Sequence, residues 1–236
     1  MLLNRLLNLV FPPQCLHCDA LVPQNGTLCL PCWQQVQFIS DPLCECCGLP
    51  FEFAEAGSMC ADCLHTRPPF AHARTALRYD DHSSALITRL KYADQTQLAA
   101  VYGPWLAKAG KELIARSDAI VPVPLHYFRF VKRRYNQSAL LAQSLAKHTA
   151  LPVLPDILTR TRPTKPQTGL TRKQREDNVK GAFSANPKHT HHIKGKNILL
   201  VDDVFTTGST LQACTKALLK AGAMQVNVLT LARTVR

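Results

Sequence analysis

One stretch of this 236-residue chain, 198–210 (ILLVDDVFTTGST), restricts its fold more than any other. Four apolar residues run into Asp202 and Asp203, then into a small hydroxyl-rich loop with one glycine, then into a helical pattern. An apolar run of that kind is a strand buried on both faces, as in parallel sheets. Open α/β sheets hold ligands beyond the carboxyl ends of their strands, so the two acids and the loop stand where a ligand would sit. Thr206, Thr207, Gly208, Ser209 and Thr210 offer successive backbone N–H groups and hydroxyls at a helix N-terminus, which suits a phosphate. Asp202 and Asp203 suit vicinal sugar hydroxyls or a metal-bound water. Phosphate beside diol is the footprint of a ribose 5-phosphate.

A strand ending in Asp-Asp also opens receiver domains, where the acids build a magnesium site. Such domains need about 100 residues after the pair, given the size of a small domain. Only 33 follow Asp203, which argues against that reading.

The second constraint is cysteine spacing. Cys15 and Cys18, Cys29 and Cys32, Cys44 and Cys47, Cys60 and Cys63 form four C-x2-C pairs within fifty residues. Repeated pairs of this kind are knuckles for tetrahedral thiolate sites, so the spacing predicts two structural zinc ions in tandem ribbons. It also places the chain in a reducing cytoplasm. Sequential pairing puts Cys15, Cys18, Cys29 and Cys32 on one metal and Cys44, Cys47, Cys60 and Cys63 on the other; spacing alone also permits an interleaved brace. Cys46 is adjacent to Cys47 and a candidate substitute. Cys214 reads as a small buried hydrophobe, and His17 and His65 as bystanders.

Residues 1–70 therefore form a zinc module, too poor in apolar side chains to fold without metal. Its first eleven residues (MLLNRLLNLVF) pattern as a short amphipathic helix ended by Pro12 and Pro13, a docking element with no cleavage site of the secretory kind. No apolar run approaches the roughly 20 residues of a membrane span. From 71 to 236 the pattern alternates: strands at 74–79, 119–123, 157–162, 197–201 and 226–231, and helices at 83–90, 97–115, 137–150 and 209–221, the last capped by Gly222. Such alternation implies a mostly parallel, doubly wound α/β sheet. Residues 122–134 leave a strand and turn basic, and 162–178 read as a long functional loop. The histidines at 189, 191 and 192 read as an exposed turn.

Taken in order, FPPQCLHC, the cysteine pairs, LKYADQTQLA at 90–99, VPVPLH at 121–126, RRYNQSALLA at 133–142, the Gln167–Arg175–Asn178 loop running into GAF, and VDDVFTTGST resemble one family across nearly the whole chain. That family is ComF/GntX, competence-associated proteins with a type I phosphoribosyltransferase-like domain. The resemblance implies a cytoplasmic protein linked to natural transformation or use of incoming DNA. It also implies a site for phosphoribosyl pyrophosphate (PRPP) with magnesium. Asp202, Asp203 and Thr206, Thr207, Gly208, Ser209 and Thr210 would hold the ribose 5-phosphate, Arg133 and Arg134 the pyrophosphate. Lys165, Arg172 and Arg175 would come from a closing loop. Arg134 stands where the family motif has glycine, so either its backbone suits that turn or the pyrophosphate loop is altered. No residue stands out as a general acid or base, and the acceptor is unspecified.

Charge divides the chain. The net charge is +12, yet residues 1–70 hold six acids against Arg5 and Arg67, a net −4, so 71–236 carry +16. An acidic module is a poor phosphate grip and suits a structural or partner-docking role, including docking to DNA-uptake proteins. The basic half, especially 129–134 and 160–180, suits PRPP, a nucleotide or single-stranded DNA, with Tyr127, Phe128, Phe130 and Tyr135 available for stacking or for packing.

Overall fold

The computed structural model describes residues 12–90, 98–125, 135–162 and 171–235. The amphipathic pattern at 1–11 lies outside them. In chain order the elements are α1 (Leu30–Gln34), α2 (Ala61–His65), β1 (Ala73–Arg78), α3 (Asp81–Arg89), α4 (Leu98–Ala109), α5 (Lys111–Ala115) and β2 (Ala119–Pro122). There follow α6 (Gln137–Ala146), β3 (Leu158–Arg160), α7 (Arg172–Val179), β4 (Phe183–Ala185), β5 (Asn197–Phe205), α8 (Ser209–Lys220) and β6 (Gln225–Arg233).

Local chemistry sets most boundaries. α3 begins in a capping box, with Ser83 N–H donating to Asp80 Oδ1 at 2.8 Å and Asp80 N–H donating to Ser83 Oγ at 2.9 Å. The helix expected at 97–115 is two helices, because Gly110 interrupts it where the backbone presses on β6; a Cβ there would lie 2.6 Å from Leu229 Cδ2. α8 ends as its sequence implies. Gly222 has φ +98°, Ala223 N–H reaches Leu218 O at 3.1 Å, and Gly222 N–H reaches Leu219 O at 3.0 Å. The 162–178 segment departs from expectation. Residues 163–170 lie outside the described residues, but α7 occupies much of the rest. Only Val179 is apolar in its eight residues, so no hydrophobic period announced it.

The main sheet is parallel, in the order β1-β6-β5-β2, and Val153 adds a parallel bridge to Ile120. β3 and β4 form a separate antiparallel pair. Alternation along the parallel strands sends Ile198, Leu200, Val226 and Val228 to one core with Leu211, Cys214 and Leu218 of α8. Leu199, Val201, Leu229 and Leu231 face a second core with Leu98, Tyr102 and Leu106 of α4 and Leu141 and Leu145 of α6. That is the doubly wound arrangement the pattern implies. Among the described residues no helix is long and apolar enough to cross a membrane.

The cysteine-rich segment straddles one edge of this sheet. Leu16 of the first ribbon joins the core under α4, whereas Cys44, Cys46, Cys47, Cys60 and Cys63 of the second join the core under α8. Between them, Phe38 bridges Leu77 antiparallel, with Ile39 N–H donating to Ala76 O and Arg78 N–H to Gln37 O, both at 2.9 Å. The β1 edge is thereby paired. Asp19 meets Arg89 of α3 through two bonds of 2.7 and 2.8 Å, and His17 stacks on His82 with centroids 3.9 Å apart.

Gly48 marks how closely the second ribbon seats. It has φ +67°, and a Cβ there would stand 2.4 Å from Ala73 O. Gly181 has the same φ with open space around it. Gly181→Ala should cost about 1–2 kcal/mol for the left-handed backbone alone. Gly48→Ala should cost clearly more and loosen the second ribbon, as read by thermal unfolding and zinc content of the purified variants.

Candidate functional site

The acidic pair sits on the last turns of β5, where the head of α6 meets it. Asp202 is only 8% exposed; its Oδ1 accepts from Ser138 Oγ at 2.9 Å and from the Asp203 N–H at 2.9 Å. Asp203 is half-buried, its Oδ1 accepting from Val204 N–H at 2.8 Å and its Oδ2 from Gln137 Nε2 at 3.3 Å. The N-terminus of a helix favours nearby anions, which helps hold two carboxylates this close together. Asn136 fixes that helix end: its Oδ1 accepts from Ser138 N–H at 3.0 Å while its Nδ2 donates to Val123 O at 2.9 Å, tying α6 to the end of β2. Asn136, Gln137 and Ser138 join the acids at this strand end, beyond the residues expected there. Their signal was there: an Asn-Gln-Ser run just ahead of an apolar helical period is an N-cap signature.

The loop after the acids turns sharply. Gly208 is the N-cap of α8 with φ +77° and gives the helix no side-chain cap. Thr207 Oγ1 and Ser209 Oγ share a hydrogen bond of 2.8 Å, so the hydroxyls are ordered across the turn. β6 clasps the loop from outside, Thr234 N–H donating to Phe205 O at 3.0 Å and Thr234 Oγ1 to Thr206 O at 3.3 Å. Under the loop, Cys214 is fully buried; burial, then the Asp202 carboxylate, pushes its thiol well up. It is the inert small hydrophobe the sequence suggested. From Ser209 a groove of about 490 Å³ runs along α8, lined by Lys180, Gly181, Asp177, Lys216 and Lys220.

Arg133, Arg134 and Lys165 lie outside the described residues, as do Tyr127, Phe128 and Phe130. Arg172 and Arg175 stand on α7. Tyr135 is half-buried and donates to Leu90 O at 2.7 Å, which makes it a packing residue.

The eight paired cysteines gather as two sets, Cys15, Cys18, Cys29 and Cys32, and Cys44, Cys47, Cys60 and Cys63, each with its sulfurs within 4.8 Å of one another. The sequential pairing holds and the interleaved brace does not. Cys18 and Cys29 Sγ are 3.6 Å apart, as are Cys47 and Cys60, close to the roughly 3.8 Å edge of a tetrahedron with Zn–S bonds of 2.3 Å. The sites repeat one another: Cys29 N–H points to Cys15 Sγ and Cys60 N–H to Cys44 Sγ, both at 3.3 Å. Against burial, the N–H groups of Cys18, Cys29 and His17 bring the Cys15 thiol down to about 6, whereas burial and then its neighbours drive Cys63 well up. Four such thiols ionise together only around a cation, so the donor set fits structural zinc.

Cys46 is buried beside the second set but is not part of it; its carbonyl accepts from Ala73 N–H at 2.7 Å. His65 ends α2, exposed. His17 lies nearer than a bystander, with Nδ1 3.6 Å from Cys32 Sγ, and supports the first site from outside.

Residues 6–64 match the family model of a double zinc ribbon domain, and 119–234 that of a phosphoribosyl transferase domain. The chain is 34% identical to competence protein F of Haemophilus influenzae over 227 residues, covering 93% of this chain and 96% of that one. It is 35% identical to the DNA utilization protein YhgH of Escherichia coli K12, covering 81% and 84%. A solved orotate phosphoribosyltransferase from Aeropyrum pernix is 20% identical over 67% of this chain and 68% of that one, with a TM-score of 0.35. The two matched domain models and the likeness to competence protein F over nearly the whole of both chains place the chain in the ComF/GntX family, a double zinc ribbon joined to a phosphoribosyltransferase domain.

Proposed function

We propose that the end of β5 and the loop 206–210 bind PRPP, and that the chain acts in DNA uptake or in the use of incoming DNA. The observation that carries the reading is the juxtaposition at that strand end: an acidic pair oriented by Ser138 and Gln137 runs directly into a hydroxyl-rich turn at an uncapped helix N-terminus. The turn suits a 5-phosphate through its N–H groups and hydroxyls. The acids suit the ribose 2- and 3-hydroxyls. Paired carboxylates of this kind also suit a magnesium hydrate, and Asp203, the more open of the two, would face it. Magnesium, when bound, neutralises the leaving pyrophosphate. Arg133 and Arg134 are proposed to meet that pyrophosphate, and Lys165, Arg172 and Arg175 to close over it and exclude water. Transfer of phosphoribose to an acceptor is the enzymatic form of this reading.

The names of the relatives, competence protein F and DNA utilization protein, support the DNA connection. A second reading is favoured by the charge division. With +16 on residues 71–236 and three lysines along the groove that starts at Ser209, this half suits a polyanion, and the chain would then sense PRPP or a nucleotide while holding single-stranded DNA. The acidic ribbons, at −4, would leave the strand alone and dock uptake proteins. Both readings place the chain in the cytoplasm.

Calorimetric titration of PRPP with magnesium into zinc-loaded protein should show one site, lost in the Asp202→Asn/Asp203→Asn variant; equal binding by both proteins would remove the site from 202–210. Single-stranded DNA should bind with an affinity that falls steeply from 50 to 200 mM salt, as for several phosphate contacts. Neutralising Lys180, Lys216 and Lys220 together should flatten that dependence, and an unchanged slope would move the DNA path elsewhere.

A further inference from the structure

Arg233 is the last residue of β6 and is 6% exposed, an unusual burial for a guanidinium. Its Nη1 donates to Cys47 O at 2.5 Å and lies 3.9 Å from Cys47 Sγ. Burying such a group costs several kcal/mol unless a countercharge stands close by. A four-thiolate zinc centre carries a net charge of about −2, and this one lies within reach. The other face of the guanidinium covers Phe205, with Cζ 4.7 Å from the ring centroid.

Phe205 ends β5 immediately before the phosphate loop. Its ring meets Phe70 edge-on, centroids 6.1 Å apart, and its Cε2 stands 2.8 Å from where a Cβ on Gly208 would be. A cavity of about 230 Å³ separates the ribbon from the loop, with Cys47, Cys63 and Phe70 on one side, Thr206 and Thr207 on the other, and Arg233 reaching between. The series Cys47, Arg233, Phe205, Gly208 is thus continuous contact from metal ligand to phosphate turn.

We propose that Arg233 is a positioning residue that couples the second zinc centre to the loop 206–210, so that ligand on the loop and metal in the ribbon reinforce each other. This rests on the reading of that loop as the PRPP phosphate site. Coupling between two binding events is reciprocal, so it is measurable from the metal side.

The experiment follows zinc release from the full-length, zinc-loaded protein into excess chromophoric chelator, with and without PRPP and magnesium. Cys18→Ser identifies the phase that belongs to the first ribbon, since it speeds that phase alone. PRPP should slow the second-ribbon phase roughly fivefold, the lower end of ordinary coupling, and leave the first unchanged. Arg233→Met should abolish that protection and speed basal release from the second ribbon, and Arg233→Lys, which keeps the charge but loses the planar stack, should restore part of it. Asp80→Ala, which weakens a distant helix cap, should keep the protection; its loss there would make the effect global and overturn the proposal. Calorimetric PRPP binding with no protection of either zinc would overturn the coupling and leave the PRPP site standing. If PRPP does not bind at all, Gly208→Ala decides, because it displaces Phe205 without ligand: faster release from the second ribbon supports the coupling, and an unchanged rate overturns it.

Discussion

Four thiols brought within 4.8 Å of one another, twice over, are a demand for cations before they are anything else. The sulfurs of the second set, with Cys46, are buried in the same core as Phe70, Phe205 and Val226, so the metal centre is a structural part of the sheet's packing. Without the metal that core would hold four polarisable groups competing for protons; with it, the ribbon becomes a rigid wall against which β6 and the loop 206–210 are set. The first ribbon is less deeply seated. It meets the body through Leu16 and Leu28, through Trp33 edge-on to Trp105, through the Asp19–Arg89 pair and through the His17–His82 stack, a mixed apolar and polar set of contacts. Exposed ion pairs contribute little.

The strand end shows the complementary economy of parts. Asp202 and Asp203 are turned and held by a serine, a glutamine amide and their own backbone. Hydrogen bonds of this kind fix the orientation of a carboxylate. Because Asn136 joins the same helix end to β2, the geometry of the pair depends on two adjacent parallel strands. The arrangement of the acids is therefore a property of the sheet as much as of the loop.

Much of this was legible in the residues. The C-x2-C pairs announced both metal sites because thiolate knuckles need that spacing, and ILLVDDVFTTGST announced strand, acids, turn and helix because a buried parallel strand has no polar alternation to confuse it. What the sequence concealed has physical reasons. α7 has a single apolar residue in eight, so nothing periodic marks it. Gly110, between two helices, leaves no room for a side chain because Leu229, 119 residues further along the chain, packs against it. Asn136, Gln137 and Ser138 resemble an ordinary helix start until Asp202 and Asp203 are placed opposite. Arg233 reads as a terminal charge, and its role emerges only when Cys47 and Phe205 close around it. Local pattern carries local structure; contacts between distant segments carry the site.

The segment between the ribbons has one further consequence. Residues 37–39 pair with β1, and the ribbons on either side hold them there. An open parallel sheet whose outer strand is capped by a metal-dependent clip has, in effect, a guard whose presence depends on supply. The backbone groups that β1 would otherwise offer to another chain, the usual template for aggregation, are thus covered by a segment anchored on both sides by thiolate sites.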